Sequence, residues 1–576
     1  MPPAARRPMM IVHPTTGSVR FDAEEETMKE SISRRGFLKG ALATGAVAAA
    51  GAALTGCAPS ASPAAASGEN GSTTSGARWS WETKPEPIPA DKITKTYDCD
   101  ICIIGAGATG VPAAYAAAKD GGAKTIVLQK GSGVVTNGWG AAAYNSRRFT
   151  EQGTTYDLTS IYARFAELAN GRGDGRVVKL FLERSGEVMD YLIDETPECT
   201  AICYPDETGH TFGWYKDNDF STRYAGFKEL LDTMVGKAEA AGAEFLWDTP
   251  AVQLVQDESG AVVGVVGETK KGEYVQVNAS KGVVMACGDL SDDEEMVECY
   301  APIIKGVPNM HGAPNNTGDG YKMGMWAGAT LDRSPHCIMM HWDPTCLPEG
   351  YAPYSGNPWL RVNINGERYG NENLGYQSVV TACSEQPGQT VFQIVDSHWI
   401  DHCNDYKHDN SHSRFTTQPE HDWDDAVERG AIVKADTIEG LADAYGIDKE
   451  ALVATVARYN ELVDKGEDED FGVRSDYLVW NGIKEPPFYA IKRVPVVLVT
   501  LGGLTVNDKL EVLDENAKPI PGFYAAGDCE GSFYGYDYPL FITGGSLGKA
   551  FTFGVLAVKS ALGTLEESIV SKNAAK

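Results

Sequence analysis

Apolar runs and glycine-rich turns alternate in one stretch of the chain before residue 130. A β-rich apolar run occupies residues 97–104, an alanine-rich stretch with helical composition reaches residue 119, and a second apolar run occupies residues 124–128. Short apolar runs bounded by glycines are typical of buried strands. The pattern therefore predicts a strand, a helix and a second strand in direct succession.

Later segments add three further expectations. Residues 282–285 are apolar and predict another strand. Apolar residues recur at helical spacing between 441 and 462, which predicts one helix there. Two acidic stretches, at 292–295 and 467–470, are expected to lie on solvated faces.

The first hundred residues resemble an export signal and a tether. Residues 33–39 read SRRGFLK, a twin-arginine motif, and the apolar run at 41–54 is shorter than the about 20 residues that span a membrane. Residues 54–57 read LTGC and resemble a bacterial lipobox, whose cysteine, here Cys57, carries the lipid. We therefore expect export and lipid anchoring to the outer face of the cytoplasmic membrane, with Met28 as the start. A cleaved signal with an incidental Cys57 is the alternative.

Composition limits the class of protein. The chain has 576 residues, of which 43% are hydrophobic and 22% charged, so it can bury a sizeable core and does not have the composition of a disordered chain. Its formal net charge of −29 opposes binding to nucleic acid. The chain has 12 cysteines; Cys99 and Cys102 lie on the first predicted strand and are expected to pack in the core, and no metal site is predicted.

The turn between the two predicted strands carries the main chemical signal. Residues 105–110 read GAGATG, which places three glycines at the spacing G-x-G-x-x-G. The first glycine permits a tight turn, the second lets a pyrophosphate reach backbone N–H groups at the helix N-terminus, and the third lets helix and strand pack closely. In this context the motif predicts a dinucleotide site. The acid expected at the end of the second strand is replaced by Gln129, whose amide can still bond a ribose.

Three later blocks resemble a known family. Residues 521–528 read PGFYAAGD, residues 286–288 read ACG after the predicted strand, and residues 317–320 read TGDG. In this order the blocks resemble the fumarate reductase/succinate dehydrogenase flavoprotein family, a group that includes the 3-ketosteroid Δ1-dehydrogenases. The resemblance covers residues 97–562 and implies FAD as the cofactor. It also implies an α/β fold, with a Rossmann-like FAD domain of the two-dinucleotide-binding type that is split by an inserted α+β capping domain.

The resemblance implies a layout and a set of cofactor contacts. The expected segments are a signal segment (1–57), a flexible linker (58–96), the first part of the FAD domain (97–336), the capping domain (337–498), the second part of the FAD domain (499–567) and a tail (568–576). The expected FAD contacts are Gly105, Ala106, Gly107, Gly110, Gln129, Lys130, Asn137, Gly138, Ala286, Gly288, Asp319, Asp528, Ser546 and Leu547. Among these, Asp528 matches the acid that holds a ribitol hydroxyl, and Ser546 and Leu547 match backbone that meets the flavin ring.

The soluble fumarate reductases of this family clamp a dicarboxylate with histidine and arginine side chains. The cap histidine matches His341, but Tyr376 stands in place of the proton-donating arginine, a histidine is missing from residues 498–503, and the late arginine is replaced near 541–542. Each charge-assisted hydrogen bond to a carboxylate contributes about 1.5–3 kcal/mol. Because several such bonds are lost together, we expect neither fumarate nor succinate to be the substrate.

The same positions resemble the ketosteroid dehydrogenases instead. Their N-E-x-x-x-Y motif matches residues 371–376, which end at Tyr376, and their late glycine-rich motif matches residues 538–554 with two inserted residues. The resemblance implies that the hydroxyl of Tyr538 and the N–H of Gly544 polarise a substrate ketone. It also implies that Tyr376 exchanges a proton with the adjacent carbon.

Each of these catalytic assignments has an alternative. Tyr376 is alternatively a packing residue between cap and core, and His341 a structural histidine. Tyr534 and Tyr536 offer the same hydroxyl close to Tyr538. A tyrosine with an unperturbed pKa of about 10 is protonated at neutral pH, which favours reduction over oxidation.

The predicted activity is addition of a hydride from flavin N5 and of a proton to a C=C bond conjugated with a carbonyl. The acceptor is a small unsaturated molecule. Electrons are expected from a separate redox protein or a quinol-linked donor, because the sequence has no haem motif and no second G-x-G-x-x-G after a strand. A ketosteroid-type dehydrogenase that works in the oxidative direction is the first alternative, and a non-catalytic FAD-containing binding protein is the second.

Overall fold

The computed structural model describes residues 78–570, except 136–137, 139, 206–209, 216–221, 311–314, 343–348, 350–351, 355, 402–418 and 479–481. The twin-arginine motif, the lipobox with Cys57 and the predicted FAD contact Asn137 lie outside the described residues, as does the side chain of Tyr376. Within the described part of the chain, no helix is both long enough and apolar enough to cross a membrane.

The strands, in chain order, are β1 (Ile93–Ile104), β2 (Thr125–Leu128), β3 (Gly140–Ala143), β4 (Ala201–Pro205), β5 (His210–Trp214), β6 (Glu244–Leu246), β7 (Ala251–Gln256), β8 (Val262–Glu268), β9 (Tyr274–Met285), β10 (Cys337–Trp342), β11 (Arg361–Val362), β12 (Val391–Val395), β13 (Val433–Ala435), β14 (Phe488–Arg493), β15 (Pro495–Leu501), β16 (Glu511–Leu513) and β17 (Pro519–Ala525).

The α-helices, in chain order, are α1 (Gly110–Tyr115), α2 (Arg147–Thr150), α3 (Leu158–Leu168), α4 (Gly175–Glu195), α5 (Arg223–Ala240), α6 (Glu294–Tyr300), α7 (Asp319–Trp326), α8 (Tyr376–Ser384), α9 (Pro419–Glu428), α10 (Ile438–Tyr445), α11 (Lys449–Lys465), α12 (Ser475–Leu478) and α13 (Gly545–Ala561). Single helical turns lie at Ser80–Glu82, Ala90–Lys92, Pro302–Ile304, Pro387–Gln389 and Gly527–Cys529.

A parallel sheet forms the centre of the larger part of the structure. Strands β6, β2, β1, β9 and β17 are neighbours in that order, and each pair runs parallel. Strand β16 extends the sheet beyond β17 in the antiparallel sense, and β7 and β8 form an antiparallel ladder on the long strand β9. All of β2 and the last four residues of β1 and β9 are buried, which is the pattern of a sheet covered on both faces.

The predicted turn and helix join β1 to β2. Gly105 directly follows β1, and its N–H donates to the carbonyl oxygen of Leu128 at the end of β2 (2.8 Å). The predicted helix is α1, which begins at Gly110 and continues as a π-helical turn over Ala116–Asp120. The strand–helix–strand prediction is therefore confirmed, and the strand predicted at 282–285 is the buried end of β9.

A second hydrophobic core lies within residues 352–491. Strands β11, β12, β14 and β13 form an antiparallel sheet there, and the core around it takes buried side chains from Ala352 to Ile491. Helix α8 falls in the same stretch of sequence, but its Val379, Val380 and Cys383 belong to the larger core. Two smaller antiparallel sheets, β3–β5–β4 and β10–β15, complete the strand pairing among the described residues.

Cys99 and Cys102 are both buried on β1 as free thiols, which confirms the predicted packing role. Among the described residues, no group of three or more His, Cys, Asp or Glu side chains is arranged to hold a metal ion.

The single helix predicted over 441–462 is wrong, because the chain breaks it into α10 and α11. Gly446 ends α10 in the left-handed conformation, with φ of 70°. Asp448 then begins α11 by accepting the N–H of Ala451 at 2.9 Å. The apolar spacing continues across the break, so periodicity alone does not reveal it; a glycine followed closely by a capping aspartate does.

Two other expectations need correction. The linker predicted at 58–96 is wrong at its C-terminal end: Trp81 is buried, its carbonyl accepts the indole N–H of Trp326 (2.9 Å), and β1 begins at Ile93. The solvated face predicted at 467–470 is wrong for Asp468, which is buried and accepts two hydrogen bonds from the guanidinium of Arg368, at 2.9 and 2.7 Å. Sequence spacing gives no indication of a partner one hundred residues away.

Candidate active site

The predicted glycine turn makes backbone contacts that leave no room for side chains. Gly105 has a φ of 110°, and a Cβ on it would lie 2.2 Å from the carbonyl oxygen of Ala286. A Cβ on Gly110 would lie 1.9 Å from the carbonyl oxygen of Gly105, and one on Gly107 would lie 3.1 Å from that of Val135. Because α1 begins at Gly110, this close approach brings the N–H groups of a helix N-terminus to the turn.

Gln129 is part of the turn's own hydrogen bonding. Its Oε1 accepts the N–H of Ala106 (3.0 Å), and its Nε2 donates to the carbonyl oxygen of Gly133 (3.3 Å). An ionised acid has no donor for that carbonyl, so the amide suits this environment. The structure thus places Gln129 beside Ala106 and gives Gln129 a supporting role that the sequence did not indicate, while the contacts of both residues with the cofactor stay predictions.

Lys130 and Asp319, which were predicted separately, lie together. The Lys130 ammonium donates to Asp319 Oδ2 and to Thr317 Oγ1, both at 3.0 Å. Asp319 is the first residue of α7, where a carboxylate interacts favourably with the helix dipole. Gly288 is close to the same loop, because a Cβ on it would lie 2.8 Å from Oδ1 of Asn316.

The C-terminal part of the chain meets the glycine turn directly. The turn Gly527–Cys529 follows β17, and a Cβ on Gly527 would lie 2.3 Å from the hydroxyl oxygen of Thr109. A Cβ on Gly554 of α13 would lie 2.3 Å from the carbonyl oxygen of the same Thr109. The two glycines therefore bring the segment with Asp528 and helix α13 against the dinucleotide turn.

Asp528, Ser546 and Tyr538 are connected by hydrogen bonds. The hydroxyl of Ser546 donates to Asp528 Oδ1 (2.9 Å), and the backbone N–H of Ser546 donates to Tyr538 Oη (3.3 Å). Tyr538 is buried, and burial raises the pKa of its phenol, so the hydroxyl keeps its proton at neutral pH. Because the Tyr538 oxygen is the acceptor in this contact, its hydrogen can be donated to another group.

The N-terminus of α13 gathers further predicted residues. Gly544 precedes the helix in the left-handed conformation, and a Cβ on it would lie 2.5 Å from the carbonyl oxygen of Gly140. A Cβ on Gly138 would lie 2.5 Å from Cδ1 of Leu547. Gly138, Gly544 and Leu547 are thus brought together with Ser546 at one end of this helix.

The two alternatives to Tyr538 differ in exposure. Tyr536 is 53% exposed, whereas Tyr534 is buried with its ring centroid 5.4 Å from that of Tyr538. Among the three tyrosines, Tyr538 is the one that accepts the Ser546 N–H. The geometry therefore favours Tyr538 over Tyr536 as the polarising group.

Tyr376 and His341 lie on neighbouring elements. Tyr376 is the first residue of α8, and His341 lies on β10 opposite Val496. The N–H of Met340 donates to Oε1 of Gln377 at 2.9 Å, so the residues next to the two candidates are joined directly. The side chain of Tyr376 is outside the described part of the chain, and both catalytic roles stay predictions.

Sequence reasoning missed buried charged residues at this site. Lys549 of α13 and Glu530 form an ion pair at 3.0 Å, and both side chains are 0% exposed. Asp289 is also buried; its carboxylate accepts the backbone N–H of Thr500, and burial raises its pKa to about 7. A lysine between the small and apolar residues of the first turns of α13 and an acid directly after the ACG block were the signals that could have revealed them.

Comparison with protein families decides the class. A family model described as an FAD binding domain matches residues 100–540, which is more than half of the chain. The chain belongs to this family. FAD is the cofactor of the flavoprotein, which is an oxidoreductase acting on CH–CH groups.

Individual relatives agree with this class. The flavoprotein is 27% identical over 498 residues to vinyl phenol reductase of Lactiplantibacillus plantarum, a match that covers 82% of this chain and 98% of the relative. It is 27% identical over 500 residues to urocanate reductase of Eggerthella lenta, covering 83% and 77%. Its fold is similar to that of 3-ketosteroid Δ1-dehydrogenase from Sterolibacterium denitrificans, with a TM-score of 0.66, 19% identity and coverage of 81% and 100%.

The described residues of the flavoprotein fit FAD. The glycine turn forms a cradle that a Cβ on Gly105 or Gly110 would fill, and it presents a helix N-terminus suited to a pyrophosphate. The carboxylate of Asp528, which accepts the Ser546 hydroxyl, is the type of group that also accepts hydrogen bonds from sugar hydroxyls. FAD requires backbone N–H donors that it can approach closely, and it requires an acceptor for its sugar hydroxyls. The glycine turn and Asp528 offer groups of these two kinds.

Proposed function

We propose that the protein is an exported FAD-dependent reductase of small organic acceptors. It adds hydride and a proton to a C=C bond that is conjugated with a carbonyl group. The observation that supports this most directly is the hydrogen bond from the Ser546 N–H to Tyr538 Oη, because it orients a protonated phenol beside the FAD contacts Ser546 and Asp528. FAD, when bound, supplies the hydride-transfer chemistry.

Tyr538 is the proposed electrophilic group. Its buried hydroxyl donates a hydrogen bond to the carbonyl oxygen of the acceptor, where negative charge develops during reduction. Donors directed at such a charge in a site without water typically contribute a factor of about 100–1,000 to kcat. The N-terminus of α13 supports this role, since its N–H of Ser546 already polarises the phenol oxygen.

Tyr376 is the proposed proton donor to the neighbouring carbon. It begins a helix whose buried residues pack in the larger core, beside the strand that carries His341. A phenol with a pKa of about 10 is protonated at neutral pH and is ready to act as an acid. His341 is proposed to contact the acceptor from the facing strand.

The proposed acceptor class rests on a cation that the sequence replaces. A dicarboxylate would need cationic partners, and Tyr376 stands where a fumarate reductase would have its arginine. Of the two relatives named above, urocanate reductase is named for an α,β-unsaturated carboxylate, whereas the C=C bond of a vinyl phenol is conjugated with an aromatic ring and not with a carbonyl. We infer that the acceptor is an α,β-unsaturated carbonyl compound other than fumarate.

The second core within residues 352–491 is proposed to be the α+β capping domain, inserted at 337–498 between the two parts of the FAD domain. Its hydrophobic cluster is separate from the larger one, which is the property expected of an inserted domain. The proposed location is the outer face of the cytoplasmic membrane, with a lipid at Cys57 and electrons from a separate redox protein or quinol-linked donor.

Anaerobic turnover assays test this proposal. Purified enzyme with reduced viologen as donor is given an aryl acrylate, a steroid enone and fumarate. We expect turnover of at least one conjugated carbonyl compound, no turnover of fumarate, and no comparable rate with NADH alone. Rapid consumption of fumarate, or an enzyme that contains FAD but reduces none of a broad set of unsaturated acceptors, contradicts the proposal.

Variants separate chemistry from folding. Tyr376→Phe and Tyr538→Phe are expected to lower kcat, whereas Tyr536→Phe, which changes an exposed tyrosine of the same loop, is the matched control and should keep wild-type activity. Stopped-flow oxidation of reduced enzyme by an enone, compared with reduction of oxidised enzyme by the saturated ketone, decides the direction. Faster reaction with the saturated ketone favours the ketosteroid-type dehydrogenase.

A further inference from the structure

The buried ion pair between Lys549 and Glu530 has no part in the proposed chemistry. The Lys549 ammonium donates to Glu530 Oε2 at 3.0 Å and to the Glu530 carbonyl oxygen at 3.5 Å, and both side chains are fully buried. Desolvation of two charges offsets much of their attraction, so such a pair is weak evidence of added stability. The position of the ion pair beside the predicted FAD contacts Asp528 and Ser546 indicates a role other than stabilising the fold.

Two contacts join the same two elements side by side. Asp528 and Glu530 lie two residues apart, on and directly after the turn Gly527–Cys529. Ser546 and Lys549 lie three residues apart on α13, the spacing at which side chains share one face of a helix. Asp528 contacts Ser546, and Glu530 contacts Lys549, so the ion pair lies one helical turn beyond the contact between Asp528 and Ser546.

Other contacts hold this turn to different elements. The hydroxyl of Tyr321 on α7 donates to the Asp528 carbonyl oxygen (2.8 Å), and the N–H of Leu504 donates to the Cys529 carbonyl oxygen (2.9 Å). The first contact holds the backbone of the turn to α7, and the second holds it to the segment after β15. Among the described side chains, those of Ser546 and Lys549 hold the turn to α13.

We propose that Lys549 and Glu530 are positioning residues for FAD. Their ion pair holds the Asp528 turn against α13, so that Asp528 and Ser546 are set at the spacing the cofactor needs before it binds. Binding to side chains that are already ordered costs less free energy than binding to side chains that must first be ordered. The bound ligand is therefore held more tightly and is released more slowly. The inference rests on the proposed placement of FAD beside Asp528 and Ser546.

The experiment measures release of FAD from the full-length holoenzyme. Free FAD fluoresces more strongly than bound FAD, so release after dilution is followed directly, and visible circular dichroism reports the geometry around the bound flavin. Lys549→Met is expected to release FAD at least about tenfold faster than the wild type, equivalent to about 1.4 kcal/mol, and to change the visible circular dichroism. Glu530→Gln keeps an acceptor for the lysine and should stay within about threefold of the wild type.

Arg368→Met is the matched control. It removes the centre of another buried ion cluster, with Glu372 and Asp468, in a part of the chain remote in sequence from the turn. Release rates are compared under conditions in which the variants lie equally far below their melting temperatures. If Arg368→Met accelerates release as much as Lys549→Met, or if neither changes it, the positioning role is refuted. Should Lys549→Met fail to fold, Glu530→Met breaks the same pair from the turn side and carries the same expectation.

Asp528→Ala separates this inference from the placement on which it rests. Faster release in Asp528→Ala with wild-type release in Lys549→Met refutes the positioning role alone. Wild-type release in Asp528→Ala refutes the placement of FAD beside Asp528, and the inference with it.

Discussion

Replacing Gly110 with alanine tests the glycine turn on which FAD binding depends. The added Cβ would lie 1.9 Å from the carbonyl oxygen of Gly105, whereas ordinary contact begins at 3.4 Å. The methyl group therefore requires a separation of about 1.5 Å between α1 and the turn, and a misplacement of about 1 Å can cost a factor of about 100 in a positioned interaction. Because the obstructing atom is backbone, no side-chain rotation can relieve the clash.

We expect Gly110→Ala to be purified with little FAD, as measured by flavin absorbance relative to protein absorbance. Overpacking of this kind should also lower the free energy of unfolding by about 1–3 kcal/mol in urea titrations. Gly236→Ala is the control: Gly236 is exposed on α5 with no atom within 4 Å of its added Cβ, so alanine should stabilise by about 0.5–1 kcal/mol. A Gly110→Ala enzyme with a full complement of FAD and unchanged stability would refute the reasoning.

Three further predictions concern single side chains. Tyr538→Phe should lower kcat by a factor of about 100–1,000 while FAD content stays near that of the wild type, and equal losses of both would assign Tyr538 to folding instead. Asp289 has a pKa raised by burial to about 7, so its neutral form stabilises the fold below the unfolded pKa of about 4 and this stability is lost as the pH rises toward 7. The melting temperature of the wild type should therefore fall relative to Asp289→Asn over that range, and a constant difference would contradict the assignment. Arg368→Met should lower the free energy of unfolding by about 3–5 kcal/mol, because it leaves two buried carboxylates without their cation; urea titration measures this, and a loss below about 1 kcal/mol would show that the cluster is hydrated.

The sequence alone predicted the elements whose backbone conformation depends on residues that are neighbours in the chain. Gly105 and Gly110 could be placed because the backbone conformation and close approach at the turn exclude side chains, and that requirement shows as a glycine pattern. The break between α10 and α11 was missed because the apolar spacing continues through Gly446. A turn formed by neighbouring residues can be predicted from the types of those residues. The end of a helix cannot be predicted from apolar periodicity alone when that periodicity continues into the next helix.

The candidate site was predictable in part for the same reason. Asp528 and Ser546 were named from separate motifs, and their contact was not predictable because it joins segments that fold against each other only in three dimensions. Lys549 and Asp468 are charged residues buried beside distant partners, and a single sequence contains no record of such pairing. Resemblance to a family indicated which residues matter, whereas packing determined which of them meet.

The central sheet takes adjacent strands from distant parts of the chain, and this has a consequence for biosynthesis. Strand β17 pairs with β9 more than two hundred residues earlier, and α13 then meets the turn after β1. A growing polypeptide on the ribosome cannot form this pocket until β17 and α13 have emerged, and such long-range contacts are slow to form. We therefore expect the flavin to bind only after α13 has been synthesised, and a message truncated before β17 would yield a chain with an open sheet edge at β9 and an incomplete cofactor pocket.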